Sequence, residues 1–203
     1  MSNVEDHYAE VIKVINDLGP EAKELGIGVA WAYLDDPKHL LFTLSRYKFV
    51  SKMFDGMKKI LEIGCGDGCN LYPFFKEGES TIGCDYSEDF LLPGREIGLD
   101  LRKGDFMEVL DQDYTFDIIM LVHSFEHFLN LTQQIKRIKN FCSDETIIYV
   151  EVPGIKNWNR IKSDSLSQDG FASSNNFLDY IQYQHNYNFE LRTLTQFWSG
   201  CGF

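Results

Sequence analysis

Ile60-Leu61-Glu62-Ile63-Gly64-Cys65-Gly66-Asp67-Gly68 is an apolar strand running straight into three glycines at every second position. Alternate glycines after a buried strand mean that the backbone turns sharply, with no Cβ to obstruct whatever approaches it. Glu62, two residues before the first glycine, is close enough to hydrogen-bond a group held in that turn.

Working outward, Ser80-Thr81-Ile82-Gly83-Cys84-Asp85 reads as a second short strand, ending in an acid 21 residues beyond Gly64. In doubly wound sheets an acid at about this distance takes the hydroxyls of a ribose. A carboxylate suits a vicinal diol because it accepts two donors at once. The competing reading is that Asp85 caps the turn before Ser87-Glu88-Asp89. A dinucleotide fingerprint would be G-x-G-x-x-G, but the sixth position here is Cys69. Leu99 to Phe106 carries a third strand, with Asp105 and Phe106 at its end. Thr115 to His123 is an almost unbroken apolar run, as a strand covered on both faces should be. It breaks into Ser124-Phe125-Glu126-His127-Phe128, and Thr146 to Gly154 supplies a fifth strand stopped by Pro153-Gly154.

Glu62-x-Gly64-x-Gly66-x-Gly68, with the acids that follow, resembles motif I and its successors in the class I S-adenosylmethionine (SAM)-dependent methyltransferases. The resemblance runs over residues 58–154 with four motifs in order. It implies an open α/β Rossmann-like sheet in the order 3-2-1-4-5, binding SAM and releasing S-adenosylhomocysteine (SAH). It sets the cofactor against Glu62, Gly64, Cys65, Gly66, Gly68, Asn70, Asp85, Tyr86, Asp105, Phe106 and His123. Asp105 would accept from the adenine amine, Phe106 would offer its backbone N–H, and Cys65 would be a small residue facing the ligand. His127 and His185 are the candidate catalytic residues, each a base or a positioning group for the methyl acceptor. The implied acceptor is an oxygen or nitrogen nucleophile of a small metabolite, a surface-glycan building block among them. A SAM-binding module without catalysis would carry the same motifs. A nucleotide-linked oxidoreductase would need a hydride-transfer constellation such as Tyr-x-x-x-Lys, which the sequence lacks after strand four.

Composition narrows the partners. The net charge of −12 repels phosphate backbones, which argues against DNA or RNA. Lys136, Arg137 and Lys139 read as a solvated helix face. No run approaches 18 uncharged apolar residues, the N-terminus has no apolar signal core, and five cysteines without repeated spacing read as reduced thiols. These features imply a cytoplasmic protein without a membrane span. No metal is expected. His123-Ser124-Phe125-Glu126-His127 matches the H-x-x-E-H string of inverted zinc proteases, but that motif needs both histidines on one helix face, and here the strand ends inside it.

Residues 1–55 read as an N-terminal helical cap, with helices over 4–15 and 38–53, and 56–203 as the cofactor-binding domain. A polar substrate-side insert spans about 155–185. Glu190 to Trp198 is expected to be the last helix, with Leu191, Leu194 and Trp198 as its apolar stripe. Class I methyltransferases follow that helix with an antiparallel hairpin, for which no residues remain after Phe203. The edge at strand five would then be open, so a shortened chain, an edge covered by the insert, or a homodimer is expected.

Overall fold

The computed structural model describes residues 45, 48–50, 52–154 and 185–203. The expected cap and insert therefore lie almost wholly outside the described residues, although residues 45, 48–50, 52 and 53 are helical, within the expected 38–53 helix.

Among the described residues, five strands form one sheet in the order β3-β2-β1-β4-β5, as the resemblance implies. They are β1 (Lys59–Ile63), β2 (Ser80–Asp85), β3 (Asp100–Lys103), β4 (Phe116–Val122) and β5 (Cys142–Glu151). The β1–β2, β1–β4 and β2–β3 ladders are parallel. Central β1 and β4 are buried along nearly their whole length, which is why both read as continuous apolar runs instead of alternating ones. The start of β1 is anchored where Asp117 Oδ2 accepts from the backbone N–H groups of Lys58 (2.7 Å) and Lys59 (3.0 Å). β5 begins four residues before the expected Thr146, and among the described residues it is the last strand on its side of the sheet.

The connecting helices are α1 (Tyr72–Lys76), α2 (Glu88–Glu96), α3 (Phe106–Val109), α4 (Leu131–Ile138) and α5 (Leu191–Gly200), with 3₁₀ turns at Phe125–His127 and Lys139–Phe141. Pro73 lies in the first turn of α1, where its missing N–H costs nothing. Asn130 caps α4 by accepting from the Gln133 N–H, so His127 does not cap that helix.

The chain divides into two compact units, Met1–Leu121 with Phe141–Tyr149, and Val122–Asn140 with Val150–Phe203. The expected boundary at residue 55 falls inside the first. The core of that unit includes Ile60, Leu61, Leu71, Phe74, Leu91, Ile118 and Leu121. In the second unit, Phe125 stacks on Phe189 with ring centroids 5.5 Å apart and meets Trp198 at 5.1 Å. Of the expected stripe on α5, Leu194 and Trp198 are half-buried, with Phe197 and Trp198 turned towards Phe125, whereas Leu191 is 70% exposed.

Candidate cofactor turn and histidine cluster

The turn after β1 belongs to the first unit and needs its glycines. Gly64, Gly66 and Gly68 all adopt positive φ (75°, 54° and 81°), a region that side chains enter only with strain. Gly64 N–H and Cys65 N–H both donate to the Cys84 carbonyl, at 2.8 and 3.2 Å, tying the turn to the end of β2. Asp85 completes the arrangement. Its Oδ2 accepts from Gly66 N–H at 3.0 Å and its Oδ1 from Ser87 N–H at 2.9 Å. Asp85 thus does hold the turn before α2, and this fixes the plane of its carboxylate while each oxygen keeps a second lone pair for a ligand.

Three further observations fit a nucleoside-bearing cofactor here. A Cβ on Gly66 would meet nothing within 4 Å, so open space stands beside the turn. Glu62, 1% exposed on β1, accepts from Asn70 Nδ2 at 2.6 Å. Asn70 Oδ1 is buried and has no hydrogen-bond partner among the described residues, an acceptor waiting for a donor.

The other sequence candidates make contacts of their own. Asp105 Oδ1 accepts from Met107 N–H as the N-cap of α3, and its Oδ2 accepts from the Tyr86 hydroxyl at 3.0 Å. The Tyr86 side chain projects into solvent, 72% exposed. Phe106 is buried edge-on against Phe141. The Cys65 side chain packs inward, not towards open space. A Cβ on Gly83 would come within 2.6 Å of Cys65 Sγ and 2.7 Å of Leu101 Cδ2, so Gly83 is there to admit them. Gly68 makes similar room for Leu99 and Leu101, which gives it a packing role beyond the turn. Burial pushes the Cys65 thiol up and the Cys84 thiol to about 12, leaving both protonated and unreactive.

In the second unit, five histidine and glutamate side chains gather around the end of β4, namely His123, Glu126, His127, Glu151 and His185. His123 has φ 50°, uncommon outside glycine, and is held there by its N–H donating to the Glu151 carbonyl at 2.9 Å. Its Nε2 lies 3.2 Å from Glu151 Oε1 and its Nδ1 3.7 Å from Glu126 Oε1. The two carboxylates, Glu126 foremost, lift the imidazole to about 9 against the opposing effect of burial. Glu126 is 1% exposed in the 3₁₀ turn. Burial pushes its carboxyl up, but His123, its own backbone N–H and His127 outweigh this and hold it below the ordinary value. His127 Nε2 and His185 Nε2 each stand 4.0 Å from Glu126 Oε1, with the two rings edge-to-face at 4.8 Å. Burial depresses the His185 imidazole, opposed by Glu126.

The structure therefore brings His127 and His185 together although 57 residues of chain separate them. The link is backbone. Asn186 N–H and Tyr187 N–H both donate to the Glu126 carbonyl, at 2.9 and 3.2 Å, and Asn186 Nδ2 donates to the His127 carbonyl at 2.6 Å. Glu126 and Glu151 were not among the sequence candidates. Glu126 stood inside the H-x-x-E-H string, but nothing local marked it as buried. The donor atoms that come together are those of Glu126, His127 and His185, all within 4.8 Å of one another, and not the His123/His127 pair that the string would require.

A doubly wound sheet with a glycine turn after β1 and a braced acid after β2 defines the Rossmann-like class I methyltransferase fold. Residues 8–203 match the family described as "Methyltransferase domain", and the chain belongs to it. Among curated proteins, the ubiquinone biosynthesis O-methyltransferase of Chelativorans sp. (strain BNC1) is 27% identical over 106 residues, 49% of this chain and 42% of that protein. The chain thus spans about two-fifths of that relative's length. Among solved structures, a SAM-dependent methyltransferase from Archaeoglobus fulgidus aligns with a TM-score of 0.61 at 24% identity, over 80% of this chain and 68% of that one. The plantazolicin methyltransferase BpumL in complex with SAH aligns with a TM-score of 0.57 at 19% identity, over 95% and 79%. At these identities the structures establish the fold. No helix among the described residues is long and apolar enough to cross a membrane.

Proposed function

We propose that this chain is a SAM-dependent methyltransferase acting on an oxygen or nitrogen nucleophile of a small metabolite. The observation that carries the reading is the Gly66 N–H to Asp85 bond beside open space, within the sheet of the family. Asp85 would take the ribose diol, Asn70 Oδ1 and Glu62 would accept from the ammonium of the methionine moiety, and the backbone at Phe106 would face the adenine. When bound, SAM supplies a methyl already activated by its sulfonium. What remains for the protein is to hold the acceptor in line and receive its proton. His127 and His185 are the acceptor-side groups in this reading, and His123 contributes through its fixed position after β4. The curated relative is named for O-methylation, which favours an oxygen acceptor, and a glycan building block with free hydroxyls is one such candidate. The five free cysteines accord with work in a reducing cytoplasm.

Calorimetry with SAM, SAH and NAD tests the cofactor. Low-micromolar or tighter binding of SAM or SAH is expected, without NAD heat, and NAD binding with no SAM heat would overturn the reading. SAM consumption across hydroxylated, aminated and phosphorylated metabolites then separates a catalyst from a SAM-binding module.

A further inference from the structure

We propose that Glu126, His127 and His185 form a site for one divalent transition-metal ion of the zinc class. The three donor atoms lie within 4.8 Å of one another in the second unit. Glu126 supplies the independent reason to expect a cation. It is 1% exposed, and among the described residues neither carboxylate oxygen has a hydrogen-bond partner, since the nearest cation, the His123 imidazole, pairs with Oε1 only at 3.7 Å. A buried carboxylate left without hydrogen bonds or ligand bonds is costly.

The separations point to an ion and not to hydrogen bonds. Glu126 Oε1 stands 4.0 Å from both His127 Nε2 and His185 Nε2, too far for N–H···O contact. An ion with ligand bonds of about 2.0–2.2 Å fits between donors spaced this way after small side-chain movement. His123 is excluded from the set because its Nε2 is taken by Glu151 at 3.2 Å, and its Nδ1 faces Glu126 as a second, competing cation. The His185 side chain is only 8% exposed, and the bonds from residues 186 and 187 to the Glu126 and His127 carbonyls hold it in place, so the geometry is built before any ion arrives.

Two imidazoles and one carboxylate are the donors of open catalytic zinc sites, which keep a further position for water or substrate. Imidazole also selects against magnesium and calcium, which take oxygen ligands. An ion here would offer that position to an acceptor hydroxyl and favour its ionised form. His127 and His185 would then act on the acceptor through the ion instead of as bases. The proposal extends the methyltransferase reading to its acceptor side but does not depend on SAM binding.

The test uses the full chain, stripped with chelator, and zinc chloride as the probe. Calorimetry should show one equivalent bound at micromolar affinity or tighter, and metal analysis after gel filtration should recover it. E126Q and H185N should each weaken binding by more than the roughly 10–100-fold that loss of an outer-shell partner costs. Both should keep the SAM binding heat, and C142S, at a thiol outside the cluster, should bind zinc as the wild type does. H185N keeps the test decisive if E126Q fails to fold. Absence of a retained equivalent, or zinc affinity in E126Q and H185N equal to that of the wild type, overturns the proposal. Magnesium binding in preference to zinc overturns the choice of metal class.

Discussion

Replacing Gly94 by alanine should destabilise the protein even though alanine is the better helix former. Gly94 is buried within α2, where alanine normally gains about 1 kcal/mol over glycine. Here an added Cβ would stand 2.2 Å from the Asp67 carbonyl oxygen and 2.4 Å from Leu101 Cδ1. Leu101 can adjust, but the carbonyl is backbone and belongs to the glycine turn, so either α2 or the turn must move. Overpacking of this kind costs about 1–3 kcal/mol; a clash with backbone lies at the upper end, so with the helix gain subtracted about 2 kcal/mol remains. For a chain of this size that is about 4–8 °C in Tm. G200A is the control, since a Cβ there meets nothing within 4 Å and the change should be neutral or stabilising. Thermal melts of both variants, with and without SAM, read the difference. G94A should also weaken cofactor affinity, because the strain is delivered to the turn that would hold it. A G94A protein melting at or above the wild type would show that the close approach of α2 to the turn is not what demands glycine.

Asp85→Ala should cost roughly 1.5–3 kcal/mol of SAM affinity, the scale of a lost charge-assisted hydrogen bond, and should also lower Tm by freeing Gly66 N–H and Ser87 N–H. Unchanged affinity with lowered Tm would assign Asp85 to the turn alone. Phe125→Ala should cost about 3–5 kcal/mol, since its fully buried ring meets those of Phe128, Phe189, Phe197 and Trp198, and a chemical denaturation shift well below that would show that the cluster repacks. In metal-free protein, the His123 imidazole, raised from 6.5 to about 9, adds stability that is full below pH 6.5 and fades as pH rises through 9. Denaturation midpoints measured across that window should fall with pH in the wild type and stay flatter in H123N. Light scattering tests self-association through β5, the terminal strand of the sheet, where Ile147 is exposed, and a clean monomer at high concentration would remove that expectation.

The strands were legible because their signals are local. β1 and β4 show unbroken apolar runs because both faces of a central parallel strand are covered, and Gly64, Gly66 and Gly68 announce backbone that only glycine adopts easily. The spacing of Asp85 was readable for the same reason, since each β-turn-α unit has a narrow range of lengths. Edges were less legible. β5 starts at Cys142, four residues before the expected Thr146, through a largely polar stretch, Cys142 to Glu145, that carries no apolar strand signal.

What only the tertiary structure decided depends on residues far apart in sequence. Gly83 and Gly94 carry no local turn signal and are glycines because Cys65, Leu101 and the Asp67 carbonyl come to them from other elements. Cys65 looked like a ligand-facing residue, yet it fills the space that Gly83 leaves. Leu191 fitted a helical stripe, but the face that α5 buries was chosen by Phe125. The sequence by itself determined the strands and the glycine turn, through periodicity and glycine conformation that act within a few residues, and the strand order through its resemblance to the class I methyltransferases. The joining of His185 to Glu126 and His127 was decided by hydrogen bonds from Asn186 and Tyr187 to the Glu126 and His127 carbonyls across 59 to 61 residues, which no local pattern encodes.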